Sequence, residues 1–180
     1  MQVATIDTSK SWTVEDYQNL EEGLLAQLIE GQLVMSPVPT LNHQRILREL
    51  FKVFDNYHLN GELFFSPIDV YLDDTTVFQP DLVFVSSAKA SVISSRGIEG
   101  APDLVVEVLS PSNSFIDRNV KKRRFLGGGV GEYWLVDPGN KTLEIYSDDP
   151  EQPILYLVES GTVTSTLLPE ISFELASIFN

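Results

Sequence analysis

A run of apolar residues interrupted by a single carboxylate constrains the fold of this chain more than any other feature. The run reads Asp103-Leu-Val-Val-Glu-Val-Leu109 and is bounded by Pro102 and by Ser110-Pro111. Side chains alternate between the two faces of a strand, so Glu107 shares its face with apolar neighbours while the opposite face is apolar throughout. Apolar residues on both faces are typical of a strand in a sheet that is covered on both sides. We therefore predict a layered fold with a buried central sheet.

The composition fits one domain of ordinary size. The chain has 180 residues, of which 43% are hydrophobic, enough to bury a core. The absence of cysteine excludes disulfides, thiolate metal sites and a cysteine nucleophile. A net charge of −14 argues against a protein that coats nucleic acid or an anionic membrane by bulk attraction. No run approaches the ~18 apolar residues that a spanning helix needs, so we expect a cytoplasmic protein without membrane contact.

The rest of the chain predicts an order of helix, strands, helix and strands. We expect residues 1–11 to form a flexible N-terminal arm and residues 12–180 a single domain. A helix is indicated where apolar residues recur at spacings of three and four: Ile46, Leu47, Leu50, Phe51, Phe54 and Tyr57. A second helix is predicted over residues 115–126, ended by Gly127-Gly-Gly129. Strands are predicted at residues 28–35 (a strand or hairpin), 63–72, 77–85, 132–136, 142–146, 154–158 and 163–167. This order favours an α/β (α+β) fold with a central mixed sheet flanked by helices.

Two carboxylates lie at positions that suit a cation site. An ionised Glu107 inside the apolar run is costly unless a metal, a lysine or an arginine pairs with it. Asp81 follows Pro80 and opens the apolar run of residues 82–85. If both lie on neighbouring strands, their oxygens suit a hard cation such as Mg²⁺. A strand-end glutamate leaning into solvent and an aspartate in a strand-entry turn are the alternative interpretations.

Five of the twelve basic residues lie within seven positions: Arg118, Lys121, Lys122, Arg123 and Arg124. On a helix, Asp117, Lys121 and Phe125 share one face, so Lys121 would lie beside a core residue while the other basic residues spread to solvent. Such a run is usually a solvated helix face. On a very acidic protein it would also stand out as a local positive patch, with a reach of about 8 Å in physiological salt.

Several motifs together resemble one group of nucleases. Pro80-Asp81 followed by Glu107-Val-Leu109 resembles the core of the PD-(D/E)xK nuclease superfamily. The wider context is similar to the restriction endonuclease family of Uma type, over roughly residues 12–180. The stretches that carry this resemblance are Ser36-Pro37 with His43-Gln44, residues 67–70, residues 102–112, Asp117-Arg118 with Lys121, Gly129-Val130, residues 132–138, and Leu168-Pro169 with Ile178-Phe179.

The resemblance implies a restriction-endonuclease-like fold and a DNA endonuclease that depends on Mg²⁺ or Mn²⁺. By similarity, Asp81 and Glu107 would bind the metal, which polarises the phosphodiester and lowers the pKa of bound water. The superfamily's lysine would stand at Leu109, and the family moves it to the next helix, which points to Lys121 with Lys122 as the fallback. Lys121 would orient the water or stabilise the charge of the transition state.

The remaining basic residues of the run would contact DNA: Arg118, Lys122, Arg123 and Arg124. We also expect a homodimer, because cutting a duplex needs two sites and two-fold symmetry is common.

The chain departs from the family pattern at Gln27. The family carries a Tyr-Glu-Leu-Ile-Asp-Gly-Glu-like stretch, which here reads Ala-Gln-Leu-Ile-Glu-Gly-Gln over residues 26–32. An amide is a poorer Mg²⁺ ligand than a carboxylate, so activity would be weak or absent if this position contributes to the site. Glu30 is a candidate to compensate, although it lies on the opposite strand face, and His43 is a candidate to line the cleft. Two alternatives to an active endonuclease follow: a binding or assembly module that keeps the fold, and a metal-dependent hydrolase of another phosphoester.

Overall fold

The computed structural model describes residues 10–21, 23–111 and 114–179. Most of the predicted N-terminal arm, residues 1–9, therefore lies outside the described residues, and the division into an arm and one domain stays a prediction. Within the described part, no helix is long and apolar enough to cross a membrane.

The helical elements are short except for one. They are α1 (Val14–Gln18), α2 (Leu41–Asp55), a π-helical segment (Ile116–Lys121) that runs into α3 (Lys122–Gly127), and two 3-10 turns at Ser87–Val92 and Leu175–Phe179. The strands in chain order are β1 (Ala26–Ile29), β2 (Gln32–Met35), β3 (Gly61–Phe65), β4 (Val70–Asp73), β5 (Thr76–Phe78), β6 (Leu82–Ser86), β7 (Ile93–Ser94), β8 (Gly97–Glu99), β9 (Leu104–Val108), β10 (Glu132–Asp137), β11 (Thr142–Tyr146), β12 (Leu155–Val158), β13 (Thr162–Thr164) and β14 (Ser172–Glu174).

Among the described residues, the strands form two six-stranded sheets and one small hairpin. The central sheet has the order β12-β11-β10-β9-β6-β3, in which only β9 and β10 are parallel neighbours. The second sheet has the order β2-β1-β5-β4-β8-β7, and β13 pairs with β14. The predicted mixed central sheet is confirmed.

The alternation predicted for the apolar run is also confirmed. In β9, Leu104, Val106 and Val108 pack into one core with α2, while Val105 and the following Leu109 pack into a second core. That second core includes side chains of the second sheet and of α3. The central sheet is thus covered on both faces, by helix α2 on one and by a sheet together with helices on the other.

Helix α2 forms where the apolar spacing predicts it. Thr40 caps its N-terminus by accepting a hydrogen bond from the backbone N–H of His43. Its buried face, at Ile46, Leu50 and Phe54, packs on the central sheet. Full burial of one such side chain contributes about 1.5–3 kcal/mol to the stability of the fold. This packing holds the N-terminus of α2 over the ends of β6 and β9.

The two longest predicted strands, residues 63–72 and 77–85, are each broken into two. β3 and β6 belong to the central sheet, whereas β4 and β5 belong to the second sheet. Pro67 and Pro80 lie at the breaks, and a proline has no N–H to donate to a ladder. The chain therefore crosses between the sheets twice, and Asp81 lies directly after the second crossing.

The predicted helix over residues 115–126 is irregular. Its first part is π-helical, with i→i+5 hydrogen bonds, and α3 then ends at Gly127 with Gly128 as the C-cap. The glycine run thus ends the helix as predicted. π-Helical turns are rare and are frequently found at functional sites, and this one carries Asp117 and Lys121.

Candidate functional site

A cleft of about 250 Å³ opens where β6 and β9 meet the N-terminus of α2. Its lining brings together five of the ten side chains that the sequence singled out. These are Gln27, His43, Asp81, Glu107 and Lys121, joined by Asp117.

Asp81 and Glu107 enter the cleft from neighbouring strands. β6 and β9 pair antiparallel with Leu82 opposite Val106, so the same register continued by one pair sets Asp81 opposite Glu107 on the same face. Asp81 Oδ2 accepts a hydrogen bond of 2.7 Å from the backbone N–H of Val108. Opposite residues have Cβ atoms about 4.5–5.5 Å apart, a separation that one cation can bridge.

Glu107 does not lean into solvent, since only 3% of its surface is exposed. Lys121 Nζ lies 2.8 Å from Glu107 Oε1 and 3.1 Å from Asp117 Oδ1. All three side chains are at most 5% exposed. The cation that pairs with Glu107 in this structure is therefore the lysine of the next helix, while Leu109 packs in the core.

The carboxylates of this cluster outnumber its cation. Burial raises the pKa of Glu107 well above its ordinary value, with Lys121 opposing the rise and Asp117 and Asp81 adding to it. Burial also raises the pKa of Asp117. Burial alone would lower the pKa of Lys121, but the two carboxylates outweigh it and the pKa is raised. With Asp81 counted, all three carboxylates ionised and His43 neutral, the three carboxylates and one ammonium leave two negative charges in excess, the charge that one divalent cation balances.

His43 connects the cleft to the first turn of α2. Its Nε2 lies 3.0 Å from Asp81 Oδ2, and its Nδ1 is buried without a hydrogen-bond partner among the described residues. Burial alone would lower the pKa of His43, but the contact with Asp81 outweighs it and the pKa is raised. The structure thus places His43 in the cleft lining, and its contact holds Asp81 in orientation.

Gln27 lines the cleft, but its amide is engaged by structural hydrogen bonds. Its Oε1 accepts from the backbone N–H of Gln79 at 2.9 Å, and its Nε2 donates to Ser36 Oγ at 3.1 Å. Glu30 instead lies in the β1–β2 turn with a side chain that is 63% exposed, 3.9 Å from Arg124. It is not part of the cleft lining, which weighs against the expectation that Glu30 compensates for Gln27.

The run of basic residues is not a free positive face, because each member outside the cleft has a partner. Arg118 pairs with Asp137 and Glu144, Arg123 with Glu151, and Arg124 with Asp73, while the ammonium of Lys122 lies 3.9 Å from the ring centre of Tyr146. The expectation that these side chains spread to solvent is confirmed for Arg123, which is 61% exposed, and is wrong for Lys122, which is buried. Arg118 and Arg124 are half-buried, because distant strands and loops supply acidic partners. The contact of these side chains with DNA stays a prediction. The ion pairs weigh against it, because a phosphate would have to compete with the acidic partners.

The donor set fits a hard divalent cation in part. Within the described ranges, no group of three or more His, Cys, Asp or Glu side chains is arranged to hold a metal ion. Mg²⁺, however, is usually bound by one or two carboxylates together with waters and substrate, and Asp81 and Glu107 supply two. Asp117 Oδ1 is buried and accepts no hydrogen bond of good geometry, although Lys121 is nearby. The buried surplus of acceptors fits a cation of this kind.

Among the ionisable residues that line the cleft, Asp117 is the one to which the sequence alone assigned no role. The signal was present, since Asp117 and Lys121 are four residues apart and share a helix face. Its burial, and its contact with the lysine inside the cleft, became visible only in the structure.

Comparisons with known proteins agree with this architecture. The family model described as "Uma2: Putative restriction endonuclease" matches residues 14–176. A solved structure of a putative nuclease belonging to DUF820 from Anabaena variabilis superposes with a TM-score of 0.75 at 22% sequence identity, covering 93% of this chain and 97% of that one. No curated protein matches the chain. The structural likeness shows the fold.

Proposed function

We propose, from the premise that the chain belongs to the Uma2 family of putative restriction endonucleases, that it hydrolyses phosphodiester bonds of DNA with the help of Mg²⁺ or Mn²⁺. One observation carries this proposal: Asp81, Glu107 and Lys121 line the same cleft, with the lysine in contact with the glutamate. Two carboxylates suit a divalent cation, and a lysine beside them suits the negative charge that develops on a reacting phosphate.

The residues take distinct roles in this proposal. Asp81 and Glu107 hold the cation, and a bound divalent cation supplies charge stabilisation for the reacting phosphate. His43 and the Val108 N–H keep Asp81 in orientation through their hydrogen bonds. Lys121 positions its ammonium beside the reacting phosphate, where it stabilises the developing negative charge.

The approach of DNA is the demanding step. The protein carries a net charge of −14, and the cleft itself has a surplus of carboxylates. A bound cation and Lys121 would then be the main attraction for a phosphate at this site, because phosphate contacts by Lys and Arg normally supply the affinity for nucleic acid. A homodimer stays part of the proposal for cleavage of both strands of a duplex.

A cleavage assay tests the proposal. The purified protein is incubated with supercoiled plasmid and with circular single-stranded DNA, with Mg²⁺, Mn²⁺ or EDTA. We expect cleavage only when a divalent cation is present. Glu107→Gln should lower the cleavage rate on the order of 10²–10³-fold, the loss that follows removal of one group that stabilises charge in a transition state. Glu151→Gln is the matched control, because Glu151 is 64% exposed and pairs with Arg123 away from the cleft. Cleavage that persists in Glu107→Gln refutes the proposal.

Gln27 favours a second candidate, a catalytically weak or inactive binding or assembly module. Both ends of its amide are engaged by Gln79 and Ser36, and the cleft lacks a carboxylate at this position. If the cleft binds Mn²⁺ but the protein cleaves neither DNA substrate with Mg²⁺ or with Mn²⁺, this candidate is favoured over an active endonuclease.

A further inference from the structure

Lys121 is the cation on which the charge balance of the cleft depends. It is the only Lys or Arg among the described residues that line the cleft. Lys122, the other candidate from the sequence, is not among the lining residues, and its ammonium lies 3.9 Å from the ring centre of Tyr146. If the ammonium of Lys121 left the cleft, no other Lys or Arg of the described lining would balance the charge on a reacting phosphate.

A cation bound at Glu107 would compete with Lys121 for the same carboxylate. Lys121 Nζ lies 2.8 Å from Glu107 Oε1, and an ammonium and a divalent cation repel each other strongly at the short distances of a buried cleft. A cation held by Asp81 and Glu107 would therefore weaken the contact between Lys121 and Glu107. Since the stem of a lysine is flexible, its ammonium then needs a second anchor to remain beside the reacting phosphate.

Asp117 lies where that second anchor is needed. Its Oδ1 is 3.1 Å from Lys121 Nζ, and both side chains are at most 5% exposed. The two residues are four positions apart in the same π-helical segment. Asp117 Oδ1 accepts no hydrogen bond of good geometry from the described residues. It can therefore accept one from an ammonium that turns away from Glu107, because an ammonium has three donors.

The position of Asp117 does not depend on its contact with the lysine alone. The hydroxyl of Tyr133 donates a hydrogen bond of 2.9 Å to the backbone carbonyl of Asp117. Tyr133 is fully buried on β10, the strand that pairs with β9, which carries Glu107. The backbone of Asp117 thus stays tied to the central sheet when the carboxylate of Glu107 turns to a cation.

The geometry does not favour Asp117 as a third ligand of the cation. In the part of the chain that the structure describes, no group of three His, Cys, Asp or Glu side chains could hold a metal ion, so Asp117 does not complete such a group with Asp81 and Glu107. Its ion pair is with the ammonium of Lys121. A role that acts through the lysine therefore fits the arrangement better than direct contact with the metal.

We propose that Asp117 is a positioning residue, which keeps the ammonium of Lys121 in the cleft when a divalent cation binds to Glu107. This inference rests on the proposed function and gives a role to the carboxylate that the cation does not contact. In this structure Lys121 bridges Glu107 and Asp117. With the cation bound, Lys121 pairs with Asp117 alone, and its charge stays beside the reacting phosphate.

NMR of protein labelled with ¹⁵N at lysine follows the ammonium of Lys121 directly. Ammonium protons of exposed lysines exchange with water too fast to be detected, whereas a buried, ion-paired ammonium gives a signal. The loss of one signal in Lys121→Met assigns it. We expect the wild type to keep this signal at saturating Mg²⁺. We expect Asp117→Leu, which removes the acceptor, to show the signal without Mg²⁺ and to lose it with Mg²⁺, whereas a merely structural role would change the signal equally in both conditions.

Glu107→Leu tests the same anchor without any metal, because Asp117 then remains as the partner of the ammonium. We expect this variant to keep the signal and the double variant Glu107→Leu/Asp117→Leu to lose it. Asp16→Asn is the matched control, because it breaks the ion pair of Lys10 with Asp16, which lies outside the cleft lining. This control should keep the Lys121 signal with and without Mg²⁺. If Asp117→Leu does not fold, Asp117→Asn, which keeps the shape of the side chain, replaces it.

Four results would overturn the inference. They are a wild type without the Lys121 signal at saturating Mg²⁺, an Asp117 variant that keeps the signal with Mg²⁺ bound, a Glu107→Leu variant that lacks the signal, and a double variant that keeps it. Failure of Mg²⁺ and Mn²⁺ to bind in calorimetry contradicts the proposed function instead, and the signals of Glu107→Leu and of the double variant then decide the inference. Failure of DNA cleavage alone also contradicts only the proposed function.

Discussion

Replacing Lys121 by methionine is the perturbation that the charge balance of the cleft makes most informative. The substitution keeps an unbranched side chain of similar volume but removes the ammonium that lies 2.8 Å from Glu107 and 3.1 Å from Asp117. Both carboxylates remain in a setting where they are at most 5% exposed. The variant therefore isolates the free energy of two buried carboxylates without their cation.

The expected cost follows from that burial. Removing one partner of a buried ion pair costs about 3–5 kcal/mol, because an uncompensated charge is left behind. Burial already raises the pKa of Glu107 and of Asp117, so these groups can take up protons in the variant, which limits the loss. We expect a decrease of about 3 kcal/mol in the free energy of unfolding at neutral pH, toward the lower end of that range. With a urea m-value of about 2–3 kcal/mol/M, the midpoint falls by about 1–1.5 M.

Urea denaturation followed by circular dichroism measures this shift. Lys52→Met is the matched control, because Lys52 is exposed and its contact with Glu49 is worth about 0.2–1 kcal/mol at most. Adding Mn²⁺ at 100 times the Kd of the variant should restabilise Lys121→Met by about 2.7 kcal/mol. The wild type should gain less at the same concentration, because Lys121 already balances part of the negative charge. A Lys121→Met variant as stable as Lys52→Met, with no response to Mn²⁺, would refute the reasoning.

Three further predictions concern single positions. Gln27→Glu adds a carboxylate to the cleft and should lower the Kd for Mn²⁺ on the order of tenfold, which isothermal titration calorimetry measures. An unchanged Kd would show that position 27 lies too far from the metal to bind it. Burial alone would raise the pKa of Asp137, but hydrogen bonds, among them those from Asn140, outweigh burial and the pKa is lowered. The stability that Asp137 contributes to the fold is therefore present above the pKa of an unfolded aspartate, and it is lost as the pH falls through the lower pKa of Asp137 in the folded protein. Wild type should therefore lose more stability than Asp137→Asn between about pH 5 and pH 2, and parallel acid profiles would contradict this. Glu132 is fully buried and accepts hydrogen bonds from Trp134 and the chain near residue 166, so Glu132→Ala should lower the thermal midpoint with a loss of about 3 kcal/mol or more, and a midpoint within a degree of wild type would contradict it.

The parts of the site that sequence predicts well are local. The alternation around Glu107 depends only on neighbours in one strand, and it predicts the covered sheet that the structure contains. The spacing of Lys121 and Phe125 on one helix face places the lysine beside the core, where it is 2% exposed. The pairing of Asp81 with Glu107 also needs the register of β6 against β9, which only the fold supplies.

The parts that sequence missed depend on distant contacts. The breaks at Pro67 and Pro80 move the chain between two sheets, and β7 and β8 are too short for a periodic signal. The basic run looked free because its partners, such as Glu144 and Glu151, are 26 and 28 residues away along the chain. Such partners carry no local pattern that a sequence window can detect.

The central claim is that Asp81 and Glu107 together hold one divalent cation. Crystals soaked in Mn²⁺ test it directly through the anomalous signal of the metal. The account predicts a peak about 2.0–2.6 Å from a carboxylate oxygen of each residue, with Lys121 still in contact with Asp117. A peak elsewhere and none between these two carboxylates, at saturating Mn²⁺, would contradict it.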